Sequence, residues 1–288
     1  MPEAPERITK LLPLIYEGIV RRSLEEDLGR AGDITTDAIA TPGALASGSI
    51  VARAPGRIAG LDVALSAFRQ LDPAISFEVR LEDGSDAVAG QALALLEGQA
   101  RPILSAERTA LNFLGRLCGI ATSTRNVVAV VAPYGAKVVC TRKTTPGLRA
   151  IEKYAVRAGG GSNHRFGLDD AVLIKDNHRV LAGSLSEAVR RVRGCVGHMV
   201  KIEAEVDTIA QLEEALGLGV DAVLLDNMSV EDLARGVRMA RGRAITEASG
   251  GITPETAAAV AATGVDLLSI GWLTHSAPSL DVSLDLSL

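Results

Sequence analysis

Arg142 and Lys143 stand where a short β-branched run, Lys137-Val138-Val139-Cys140, gives way to hydroxyl and turn residues in Thr141-Arg142-Lys143-Thr144-Thr145-Pro146-Gly147-Leu148-Arg149. The run reads as a buried strand, and residues 148–158 have helical spacing. A second basic cluster, Asn163-His164-Arg165, follows three consecutive glycines. Residues 137–165 hold seven Lys or Arg and one acid, Glu152, in a chain of formal net charge −5. A cationic island in an acidic protein suits a pocket for a small polyanion. A solvated basic helix face would account for Lys153 and Arg157. It accounts poorly for Arg142, Lys143, His164 and Arg165, which sit at segment ends among glycines.

These groups need a scaffold, and the second half of the chain supplies a repeating one. Strand-like runs are expected at residues 137–141, 171–175, 199–206, 222–226, 244–249 and 266–271, with helices at 186–192, 208–216, 230–239 and 254–262. The last four strands start about 22 residues apart, the period of a strand–loop–helix–loop unit with a parallel sheet. Reactive groups at strand ends favour a closed or nearly closed barrel over an open sheet, although spacing alone does not separate them. The first hundred residues read as an α+β module, with helices at 11–26 and 61–71 and strands near 48–54, 76–81 and 92–96. An apolar helix over residues 105–121 connects the two parts. The expected division is an N-terminal α/β sandwich over residues 1–115 and a barrel over 116–275, with residues 276–288 returning to the sandwich as a strand.

The strand ends, taken in order, form a chemical list. They offer Arg142 and Lys143, then Lys175-Asp176-Asn177-His178, Glu203 and Glu205, Asp226-Asn227, Ser249-Gly250-Gly251, and Gly271 ahead of His275. Glu203 and Glu205 share one strand face. Glu205 and Asp226 occupy equivalent points of adjacent units and can hold a magnesium ion, which prefers oxygen ligands; a helix cap is the alternative for Asp226. Glycines after the last two strands let backbone N–H groups approach a phosphate. A Schiff-base lysine at Lys143 or Lys175 is a further alternative, weakened by the cations around each. His178 is a lesser candidate.

Composition narrows the partners. With 47% hydrophobic residues the 288-residue chain can build a sizeable core. Its 3% aromatic content leaves few stacking platforms, and with the negative charge this argues against nucleic acid. Residues 1–7 lack an export pattern and the apolar run 127–132 is too short for a bilayer, so no membrane role is expected. Three separated cysteines point to free thiols and a cytoplasmic setting.

The chain resembles the quinolinate phosphoribosyltransferase family. The resemblance spans nearly the whole length: Glu26-Asp27-Leu28-Gly29, Glu107-Arg108-Thr109-Ala110-Leu111-Asn112, the Thr141 to Arg149 segment, Asn163-His164-Arg165, Leu173-Ile174-Lys175-Asp176-Asn177-His178, Leu225-Asp226-Asn227-Met228, residues 247–252 and Leu273-Thr274-His275-Ser276. Cys140 stands where the family commonly has aspartate, and Ala204 and Gly115 replace valine and glutamine. The resemblance implies that quinolinate and phosphoribosyl pyrophosphate give nicotinate mononucleotide, carbon dioxide and pyrophosphate with magnesium. It implies a seven-stranded incomplete barrel beside the sandwich. It also implies a homodimer with shared active sites, in which Arg108 enters the partner's pocket; a higher oligomer is left open. On that chemistry Arg108, Arg142, His164, Arg165 and Lys175 would hold the two carboxylates of quinolinate. Glu205 and Asp226 would hold magnesium, directly or through water, and favour charge on the ribose, while Lys143 would neutralise the leaving group. Ser249, Gly250, Gly251, Gly271 and His275 would take phosphate. A paralogue with another anionic acceptor fits the intact Thr-Arg-Lys-Thr-Thr-Pro-Gly segment less well. A non-catalytic anion sensor would gain nothing from Glu205 and Asp226.

Overall fold

The computed structural model describes residues 8–287; the stretch lacking an export pattern, residues 1–7, lies outside them. The chain forms two compact units and passes between them more than once. One takes residues up to Arg125, Thr144–Gly160 and those from Leu273, and the other takes Asn126–Lys143 and Gly161–Trp272.

The first unit carries β1 (Leu45–Ala52), β2 (Gly56–Arg57), β3 (Ser76–Val79), β4 (Asp86–Ala87) and β5 (Ala92–Gln99). The chain's last strand, β12 (Val282–Ser287), joins them, giving a four-stranded antiparallel sheet in the order β12-β1-β5-β3 with Ile50 opposite Leu284. β2 and β4 form a separate small ribbon. Ile50, Leu65, Phe68, Leu93 and Ile103 are fully buried in this unit. Helix Leu61–Leu71 starts after Gly60, whose φ of 82° suits glycine. Its first backbone N–H groups, from Gly60 and Leu61, donate to the Asp83 carboxylate at 2.8 and 3.1 Å. Asp33 caps the helix Ile34–Ile39 through Thr36 N–H. The connecting helix is longer than its apolar pattern suggests, Ala100–Val131. It starts five residues earlier than residue 105 because Pro102 falls in its first turn, where a missing N–H costs nothing.

The second unit holds β6 (Lys137–Val139), β7 (Val172–Ile174), β8 (Ile202–Val206), β9 (Ala222–Asp226), β10 (Ile245–Ser249) and β11 (Leu267–Ser269). They form one parallel sheet in the order β6-β11-β10-β9-β8-β7. A parallel bridge from Val139 to Ser162 marks the place of a seventh strand, reduced to a single pairing. This is an incomplete barrel within an α/β fold. Helices Leu185–Cys195, Ile209–Gly217 and Val230–Ala240 alternate with its strands and open on Ser184, Thr208 and Ser229, each accepting a backbone N–H. Among the described residues no helix is long and apolar enough to cross a membrane. Cys118, Cys140 and Cys195 are free thiols.

Candidate active site

Parallel strands deliver their C-terminal ends to one rim, and most of the sequence-derived residues lie there within the second unit. Glu203 and Glu205 do share a face of β8, and they take different partners. Glu205 Oε2 accepts from Lys175 Nζ at 2.7 Å. Glu203, buried, faces His164 Nε2 at 3.0 Å. Asp226 closes β9 and accepts from Asn227 Nδ2 at 2.7 Å. The cap of the following helix is Ser229, so Asp226 is not spent on that task.

Arg142 and Arg165 are close enough to repel. Burial, followed by the charge of Arg142, holds the Arg165 guanidinium below its usual range. Arg165 spends Nη1 on the Ala171 carbonyl at 3.0 Å. Arg142 Nε is buried and, among the described residues, has no hydrogen-bond partner. A buried guanidinium N–H left unpaired is costly unless an anion completes it. Cys140, fully buried, donates its thiol to Asn163 Oδ1 at 3.3 Å.

His164 occupies the centre of a second buried group. Its Nε2 lies 3.5 Å from Glu247 Oε1 as well as 3.0 Å from Glu203, and the Arg165 backbone N–H donates to its Nδ1 at 2.7 Å. Burial, reinforced by the charge of Glu203, pushes Glu247 up to about 7. His178 turns back to accept the Lys175 backbone N–H at 2.9 Å, a helix-capping contact.

At the phosphate-type loops, Gly250 has φ 97°, and a Cβ there would come within 2.1 Å of Asn227 Oδ1. Only glycine fits that approach. Trp272 Nε1 donates to the Ile252 carbonyl at 2.9 Å, tying the segment after Gly271 to the one after Gly251. Arg108 and His275 belong to the first unit. Arg108 is 67% exposed on the long helix, and His275 Nδ1 lies 2.6 Å from Ser276 Oγ.

One anchor was not singled out from the sequence. Glu152, fully buried in the first unit, accepts from Thr145 N–H at 3.0 Å, Thr145 Oγ1 at 2.8 Å, and Arg116 Nε and Nη2 at 3.2 and 3.0 Å. Arg116 also donates to the carbonyls of Ala277 (3.1 Å) and Thr274. Thr145 follows Lys143 by two residues in the chain. The available signal for Glu152 was its being the lone acid in the cationic island.

Known proteins resemble this chain over most of its length. The family description "Quinolinate phosphoribosyl transferase, C-terminal domain" matches residues 120–285, and the corresponding N-terminal domain matches residues 33–118. The chain is 44% identical over 263 residues, covering 91% of it and 90% of the relative, to a Bacillus subtilis protein named probable nicotinate-nucleotide pyrophosphorylase [carboxylating]. It is 46% identical over 272 residues, 93% of it and 95% of the relative, to the nicotinate-nucleotide pyrophosphorylase [carboxylating] of Mycobacterium leprae. The solved nicotinate-nucleotide pyrophosphorylase of Francisella tularensis superposes with a TM-score of 0.93 at 38% identity, covering 99% of this chain and all of that one.

Proposed function

The chain belongs to the quinolinate phosphoribosyltransferase family, and from that premise we infer how its own residues carry the reaction. It is a carboxylating nicotinate-nucleotide pyrophosphorylase: quinolinate and phosphoribosyl pyrophosphate give nicotinate mononucleotide, carbon dioxide and pyrophosphate, a step of NAD biosynthesis. The observation that carries the residue assignment is the buried, unpartnered Arg142 Nε beside Arg165. A carboxylate completes such a pair with charge-assisted hydrogen bonds.

Quinolinate is bound by Arg142, Arg165 and Lys175, with His164 bonded to the Arg165 backbone and Arg108 contributed by a second subunit. The pyridine nitrogen attacks the anomeric carbon of the ribose as the bond to pyrophosphate breaks. Lys143, exposed in the loop that follows β6, meets the charge that grows on the leaving group. Glu205 and Asp226 favour the positive charge developing on the ribose. Their all-oxygen donor set on neighbouring strands suits magnesium, which when bound would neutralise pyrophosphate. Ser249, Gly250, Gly251 and Gly271 present backbone to phosphate, with His275 nearby in sequence. Once the ring nitrogen is quaternised, the bond to the adjacent carboxylate breaks and carbon dioxide leaves; the electron pair stays on the ring carbon beside the positive nitrogen, and a proton from solvent takes the vacated position.

The homodimer belongs to the same proposal. Exposure of Arg108, and of Phe166, Leu168, Val180 and Leu181 in the second unit, supports a covering second copy. Free thiols support a cytoplasmic setting. The test mixes two inactive variants, Arg108→Ala and Glu205→Ala, under conditions of subunit exchange. A shared site regains activity, because one site of each mixed dimer keeps both residues. No recovery in proven mixed dimers refutes the inter-subunit assignment.

A further inference from the structure

We propose that His164 is a neutral strut, locked by Glu203 and Glu247 on one side and by the Arg165 backbone on the other, that positions Arg165 for its substrate carboxylate. The proposal deepens the reading of Arg165 as a quinolinate ligand and rests on it. From sequence, His164 belongs with the cations. The geometry gives it a different task, because both ring nitrogens are already engaged.

The hydrogen-bond directions decide its form. Arg165 N–H donates to Nδ1 at 2.7 Å, so Nδ1 is the acceptor and carries no proton. The ring proton therefore sits on Nε2, which donates to Glu203 Oε2 at 3.0 Å and has Glu247 Oε1 at 3.5 Å. A doubly protonated ring would set its Nδ1–H against the Arg165 N–H. His164 is largely buried, its side chain 14% exposed, and the two carboxylates are nearly closed off at 11% and 2%. They are seated on the rigid strands β8 and β10, where Glu203 pairs with Ala222 and Glu247 with Leu224. From those strands the chain of contacts runs through the imidazole to the backbone of Arg165. Among the described residues Glu247 Oε1 is buried with no hydrogen-bond partner, which leaves it as the reserve acceptor for the same Nε2–H. Nothing else in the reaction uses this pair: Glu205, two residues on, turns to Lys175. Glu203 and Glu247 are thus positioning residues, acting on quinolinate only through His164 and Arg165.

Two measurements test this. Protein labelled with ¹⁵N in its histidines gives long-range ¹H–¹⁵N correlations for all four rings, and His164→Gln identifies the signal. The strut requires a neutral ring with the proton on Nε2, unchanged when saturating quinolinate is added. A doubly protonated ring, a proton on Nδ1, or a ring that becomes charged with quinolinate bound overturns it. Because the spectrum of the unliganded protein needs no substrate, this result is separate from the quinolinate assignment, which fails instead if Arg165→Lys leaves quinolinate binding unchanged. The second measurement is a double-mutant cycle in kcat/KM between Glu203→Gln and Arg165→Lys, with Glu247→Gln as the companion variant should Glu203→Gln fold poorly. The single glutamate variant should raise the KM for quinolinate on the order of tenfold, as loss of an outer partner does, with kcat little changed. In the Arg165→Lys background the same change should cost less than about twofold. Equal costs in both backgrounds overturn the strut.

Discussion

Replacing Glu152 should destabilise the protein more than any exposed ion pair could. The carboxylate is fully buried and gathers four hydrogen bonds, two from Thr145 and two from Arg116. Arg116 is only 24% exposed and cannot simply return to water. In Glu152→Ala the guanidinium keeps its carbonyl contacts but loses its counter-charge, and the Thr145 N–H loses its acceptor. Removing one partner of such a buried pair costs about 3–5 kcal/mol, far more than a solvated surface pair such as Arg190–Glu187 contributes. The hydrogen bonds are not summed separately, since they share one carboxylate. Urea unfolding is the assay: the midpoint should fall by the corresponding amount with the slope unchanged. A paired replacement, Glu152→Leu with Arg116→Met, should recover most of the loss, because it removes the orphaned charge and keeps the volume. A Glu152→Ala loss below about 1 kcal/mol, or a double variant no more stable than Glu152→Ala, refutes the reasoning.

Lys143→Ala should lower kcat roughly a hundredfold or more, as loss of a transition-state charge contact does; near-normal kcat with a raised KM would reduce Lys143 to a binding residue. Glu247 gives a pH prediction of unusual sign. Its folded value is about 7 through burial and the Glu203 charge, above the ordinary glutamate value of about 4.3. The folded protein therefore holds the proton longer than the unfolded chain, and this group's contribution to stability falls as pH rises from about 4.3 to about 7. Urea midpoints at pH 5 and pH 7.5 should show wild type losing ground to Glu247→Gln over that interval, and a constant or opposite difference refutes it.

The sequence patterns located the helix Leu61–Leu71 in full and the barrel strands to within a few residues, because apolar periodicity and caps such as Ser229 are local. Strand ends were overrun: the pattern at 266–271 extends past β11, which stops at Ser269, since Ile270 stays buried and its N–H still reaches the Val139 carbonyl at 3.0 Å beyond the strand itself. The reduction of the strand at Ser162 to a single bridge depends on which neighbours reach it, a tertiary matter. The cationic and acidic members of the site were legible as residue types at strand ends. Their pairings were not. Whether Glu203 meets a cation or a histidine, and whether a histidine is charged, is fixed by distances between β8, β10 and the Asn163-His164-Arg165 segment that no local pattern encodes. Glu152 went unassigned for the same reason, its partner Arg116 lying 36 residues away.

The central claim is that this chain joins the ribose to quinolinate and releases the carboxylate next to the ring nitrogen. The most direct measurement supplies purified protein with phosphoribosyl pyrophosphate, magnesium and quinolinate labelled with ¹³C in the 2-carboxyl group, with nicotinate as the control acceptor. The account predicts labelled carbon dioxide, pyrophosphate and unlabelled nicotinate mononucleotide in equal amounts, with little turnover of nicotinate. Comparable turnover of nicotinate, or pyrophosphate released without labelled carbon dioxide, would contradict it.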